Sequence, residues 1–97
     1  MMKRSYIAIA EQVPGETTWW ISFPSFPGIT SAADSAAEIM AQAGDALATV
    51  IEEMLRDGQH PPASIEDGEP PEYDPREYQN HLVILVPQVE SVAAVGR

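Results

Sequence analysis

Between residues 39 and 55 the chain places Ile39, Met40, Ala43, Leu47, Val50, Ile51, Met54 and Leu55 at intervals of one, three or four, which winds them into one apolar stripe along an α-helix. Ser35-Ala36-Ala37-Glu38 just ahead has the S-x-x-E spacing of a capping box, so Ser35 and Glu38 are the expected helix cap. Gly58, following Arg56 and Asp57, is a stop signal, and the helix is expected to run from about Ala36 to Asp57. Such a stripe must be buried against another element. In 97 residues there is room for one core, so the remaining segments decide what covers it.

Those segments read as strands. Tyr6 to Gln12 alternates apolar residues with smaller ones, and Thr17 to Phe23 is rich in β-branched and aromatic side chains. Val13-Pro14-Gly15-Glu16 between them has the Pro-Gly centre of a type II turn, which predicts an antiparallel hairpin. A short third strand is expected at Ile29 to Ala32. His81 to Pro87 is a nearly continuous apolar run of strand length, which reads as a strand buried on both faces. One helix covers one face of a sheet, so the second face of this strand calls for a further subunit or a partner. The fold class is α+β: a small antiparallel sheet of three to four strands with one long helix packed across it. Residues 1–87 form the expected domain, and 88–97 a C-terminal tail.

Period-2 geometry sends Trp19, Ile21 and Phe23 to one side of the second strand and Trp20 to the other, where Trp20 either covers a sheet edge or anchors an interface. Phe23-Pro24-Ser25-Phe26-Pro27-Gly28 breaks the strand pattern, and Pro24, Pro27 and Gly28 set a rigid elbow. His60 to Arg76 holds five prolines and few apolar residues, which predicts an irregular, exposed connection. Glu66, Asp67, Glu69, Glu72, Asp74 and Glu77 around it face only Arg76, five of the ten net negative charges of the chain.

A net charge of −10 repels phosphate backbones and anionic lipid, which argues against direct nucleic-acid or membrane binding, and it steers a basic protein toward the chain. No cysteine is present, so there is neither a disulfide framework nor a thiolate site, and the cytoplasm is the expected compartment. The apolar run after Lys3 and Arg4 ends at Glu11, too soon for a signal peptide or a membrane span. His60 and His81 are isolated and build neither a nucleophilic triad nor a zinc site, and no glycine-rich loop joins a strand to a helix. No catalytic residue, metal or cofactor is expected, and binding rather than catalysis is the expected mode of action.

The order of these elements, with Phe23-Pro24-Ser25-Phe26-Pro27-Gly28-Ile29, then Asp34-Ser35 with Glu38, then Asp57-Gly58-Gln59-His60-Pro61-Pro62, resembles the HicB family of antitoxins over roughly residues 6 to 87. Ser25 stands where that family usually has Asp, and Ile29 where it usually has Cys. The resemblance implies a partial ribonuclease H-like arrangement without the acidic nuclease centre. It also implies an antitoxin that binds and neutralises a small, basic, HicA-like ribonuclease toxin, often as a dimer or tetramer. Many relatives add a C-terminal DNA-binding domain; residues 88–97 are too short for one, so the expectation is a core domain without it.

Trp20, Glu66, Asp67, Glu69, Glu72 and Asp74 are the expected partner contacts. Two other readings compete: a solitary module that self-associates through the face of Leu82 to Val86, and a divergent nuclease using Glu11 and Glu38 with Mg²⁺. Capping accounts for the placement of those two carboxylates without invoking a metal.

Overall fold

The computed structural model describes residues 4–68 and 71–88. Ser5–Gln12 forms β1, Trp19–Ser22 β2, Thr30–Ala33 β3 and His81–Pro87 β4, and they assemble into one antiparallel sheet in the order β3-β2-β1-β4. The helix α1, Ile39–Arg56, lies across one face. Glu69 and residues 89–97 of the expected tail lie outside the described residues.

The β1–β2 hairpin closes where Pro14 and Gly15 predict it. Gly15 has φ +87°, and the Glu16 amide donates to the Val13 carbonyl at 3.0 Å. The elbow consists of two successive turns: the Phe26 amide donates to the Phe23 carbonyl at 3.0 Å and the Ile29 amide to the Phe26 carbonyl at 3.1 Å. Each has proline at its second position, and Gly28, at φ +92°, fills the third position of the second turn, where a left-handed residue is required. The elbow drives Phe23 and Phe26 inward, their rings edge to face at 6.1 Å, with Tyr6 against Phe26 at 4.9 Å.

The helix differs in detail from the sequence pattern. A 3₁₀ turn, Ala36–Glu38, precedes α1, and the reciprocal capping box does not form: the Ser35 hydroxyl donates to the Glu38 carboxylate at 3.2 Å, and neither side chain bonds an amide of the first turn. The tightened turn satisfies the Glu38 amide through the Ser35 carbonyl instead. At the other end Gln59 donates to the Met54 carbonyl at 2.8 Å and Gly58 to that of Leu55 at 3.1 Å, the paired bonds of a Schellman motif around Gly58.

Ile39, Ala43, Leu47 and Ile51 form the buried line of α1, packed on Tyr6, Ala8, Ala10, Ile21, Ala33 and Val86 of the sheet. Alanines at 8, 10, 33 and 43 leave room for the helix to settle close to the strands. Met40 and Leu55 of the predicted stripe stay exposed. Leu55 is turned away by the 100° step of the helix, which carries it well past the buried line.

Candidate functional site

The face of the sheet opposite α1 follows from the strand register. Residues paired across strands share a face, so Ile7 with Leu85, Ile9 with Val83, Ser22 and Thr30, and Glu11 with His81, Trp20 and Ala32 all point away from the helix. Val83 is 44% exposed, Leu85 52% and Trp20 45%. The expectation that β4 is buried on both faces is corrected here: only Val86 is buried, because β4 is an edge strand and α1 covers one side.

The long connection from α1 to β4 is docked onto this sheet rather than loose. Its first anchor is the Tyr6 hydroxyl, which donates to the Pro62 carbonyl at 2.8 Å. Its second is Glu66. β2 pairs with β1 only from Ile9 onward, so the Ser5 amide, on the β2 side of β1, has no strand partner, and it donates to Glu66 Oε1 at 2.7 Å. Hydrogen bonding from Ser5 holds the Glu66 carboxyl below its ordinary value. A capping box that sequence reading missed lies beside it: the Ser64 amide donates to Asp67 Oδ2 at 2.9 Å at the start of the 3₁₀ turn Ile65–Asp67.

From Pro71 the chain returns along the outer face. Glu72, Tyr73, Glu77 and Tyr78 share with the outward residues Ser22 and Thr30 a groove of about 350 Å³. Tyr78 lies between Tyr73, edge to face at 6.4 Å, and His81, tilted at 5.7 Å. The Gln79 amide donates to Glu11 Oε2 at 2.7 Å and fixes the entry into β4. Asp74 accepts from the Arg76 amide at 3.0 Å and pairs with its guanidinium at 3.1 Å; the guanidinium and amide of Arg76 hold the Asp74 carboxyl below its ordinary value.

The expected contact residues thus divide. Glu66, Asp67 and Asp74 each hold backbone of the connection in place. Glu72 faces the groove, and Trp20 stands exposed on the same side of the sheet. Tyr73 and Tyr78 were not foreseen, although aromatic residues inside a polar, proline-rich stretch are a signal that the stretch docks onto a core. Glu11 and Glu38, weighed as nuclease ligands, accept from Gln79 and Ser35 respectively, and among the described residues no three His, Asp or Glu side chains converge as a metal site would require. No helix among the described residues is long and apolar enough to cross a membrane.

Residues 6–94 match the family model described as HicB_like antitoxin of bacterial toxin-antitoxin system. Among solved structures the fold is similar to a chain of the "HicA3 and HicB3 toxin-antitoxin complex", at 22% identity and a TM-score of 0.57, over 84% of this chain and 94% of that one. Comparison with curated proteins gives no match.

Proposed function

This chain belongs to the HicB-like antitoxin family of bacterial toxin-antitoxin systems, and from that premise we propose that it binds and neutralises a small, basic, HicA-like ribonuclease toxin in the cytoplasm. The observation that carries the reading is the acidic connection, anchored at Pro62 by Tyr6, at Glu66 by Ser5 and at Gln79 by Glu11, with Trp20 exposed on the outer side of the same sheet. Anchoring lowers the entropy that the segment loses on binding, and its negative charge steers and orients a cationic partner. Trp20 and Glu72 make the central contacts in this reading, with Glu66, Asp67, Glu69 and Asp74 supplying the surrounding field. The protein acts by occlusion: it covers the cationic surface that the toxin presents to RNA, and it carries out no chemistry itself.

The test is RNA cleavage by a small basic protein that co-purifies with the chain. Added antitoxin is expected to abolish cleavage at equimolar ratio. Glu72→Lys and Trp20→Ala are each expected to weaken inhibition by at least about tenfold. Undiminished inhibition by the double variant, with its fold intact by circular dichroism, refutes this assignment of the contacts. Failure to inhibit any co-purifying ribonuclease refutes the function.

A further inference from the structure

The groove of about 350 Å³ is lined by two elements that the fold holds by separate means. One is the elbow, where Pro24 and Pro27 stiffen its two successive turns. The other is the returning connection, which contributes Glu72, Tyr73, Glu77 and Tyr78. Asp74 caps the 3₁₀ turn Pro75–Glu77 by accepting from the Arg76 amide, and Glu11 accepts from the Gln79 amide, so the backbone is pinned on both sides of Glu77 and Tyr78.

The chemistry of this lining selects its ligand. The half-buried rings of Tyr73 and Tyr78 meet with centroids 6.4 Å apart and planes inclined at 68°, which makes an aromatic corner, and the exposed Glu72 and Glu77 border the same groove. Ring faces attract cations through their quadrupole, and the carboxylates add full negative charge. The described lining contains no Lys or Arg. Arg76, the one such residue between Arg56 and Arg97, is engaged by Asp74, which accepts from its Nε at 3.1 Å and its Nη2 at 3.2 Å. Tyrosine faces together with carboxylates suit a guanidinium better than an ammonium, because the planar cation stacks on a ring while its edge donates in a fork to a carboxylate. The volume is near the lower end of the range of about 300–1,000 Å³ typical of ligand clefts, which matches one long side chain rather than a peptide segment.

We propose that this groove seats a single arginine side chain of the toxin, with its guanidinium against Tyr73 and Tyr78 and bonded by Glu72 and Glu77. The proposal rests on the antitoxin reading and gives it an anchor. The spread of charge along the connection steers a cationic partner, and the groove fixes where one of its residues comes to rest.

Two measurements test it. In the first, the full chain is titrated with L-argininamide while the Tyr73 and Tyr78 ring resonances are followed by NMR. Saturable shifts of both rings are expected, weaker with lysinamide and at high salt, and lost in the Glu72→Gln, Glu77→Gln double variant. In the second, Glu77→Gln and Tyr78→Leu are each expected to raise the Kd for the co-purifying toxin by at least about tenfold, and Tyr78→Phe, which keeps the ring, to stay near wild type. Glu77 is exposed, so its variant tests the groove without endangering the fold. Substituting the toxin's arginines by alanine one at a time is expected to find one whose loss costs nothing further in the Glu77→Gln background.

Rings that do not respond to argininamide, or respond equally to lysinamide, overturn the proposal. So does strict additivity of every toxin arginine with Glu77→Gln while the wild type still inhibits the ribonuclease, an outcome that leaves the antitoxin function standing. Ring shifts produced by Arg97→Ala without added probe assign the groove to the chain's own arginine and overturn it too. A response to argininamide in a chain that inhibits no co-purifying ribonuclease removes the toxin as the source of the arginine, and there the antitoxin reading itself fails.

Discussion

Replacing Tyr6 with Phe removes a single oxygen from the centre of this protein and tests whether the acidic connection is truly anchored. Tyr6 is 1% exposed, its ring rests against Phe26 at 4.9 Å, and its backbone lies opposite Val86; none of these contacts needs the hydroxyl. What disappears is the 2.8 Å bond to the Pro62 carbonyl. A neutral intramolecular hydrogen bond contributes a net ~0.5–1.5 kcal/mol, and a fully buried orphan carbonyl costs ~1–3 kcal/mol. Pro62 is half-buried, so its carbonyl regains water at modest cost, which sets the expected loss near 1 kcal/mol. For a domain of this size that corresponds to a fall in Tm of about 4–8 °C. Thermal denaturation by circular dichroism measures the loss. Amide hydrogen exchange locates it, with faster exchange expected at residues 63–67 and at Ser5, and little change within α1. An unaltered Tm together with unaltered exchange at Ser5 would refute the anchoring argument, and with it the preorganisation on which the proposed binding mode depends.

Gly28→Ala meets no atom within 4 Å at its new methyl, so its cost is the left-handed backbone at φ +92° alone, about 1–2 kcal/mol by chemical denaturation, and Gly28→Asn is expected to recover part of that. Leu47→Ala, at the buried centre of α1, is expected to lose about 2–5 kcal/mol, whereas Leu55→Ala, exposed on the same helix, changes stability by less than about 0.5 kcal/mol. The folded pKa of Glu66 lies below its ordinary value of 4.5, so the Glu66–Ser5 clamp contributes fully above that value and is lost as pH falls through the lower folded one. Exchange protection of the Ser5 amide, followed from neutral pH into that acidic window, is expected to fall in the wild type and to be flat in Glu66→Gln, which keeps an acceptor oxygen but no titratable charge.

Much of the fold was legible locally. Pro14-Gly15 specifies a turn through its own backbone preferences, the two Pro-containing turns of the elbow do the same, and Gly58 ends α1 because a left-handed residue is needed there. The cap was misread for a related reason: Ser35 and Glu38 have the right spacing, but the short 3₁₀ turn brings their side chains to each other, a choice between near-equal bonding patterns that spacing does not distinguish. The connection is irregular and largely exposed, as its prolines predict, but its docking was not legible because its anchors reach across the chain, from Glu66 to Ser5 and from Gln79 to Glu11. A segment's sequence carries no record of bonds to residues more than sixty positions away.

Periodicity, turn chemistry and charge are read from the residues themselves, and from them the sequence by itself determined the elements, their order, the α+β class and the net charge of −10 on which the proposed cationic partner rests. Strand order and register are properties of the assembled sheet. They decided that, among the described residues, the apolar run His81–Pro87 becomes the edge of the sheet rather than a strand buried on both faces, that Trp20 and Glu72 come to the same side, and that Glu66 completes β1 where β2 falls short. Hydrophobicity drives a strand toward burial, but which of its faces and edges obtains a neighbour depends on how many other elements remain to cover them.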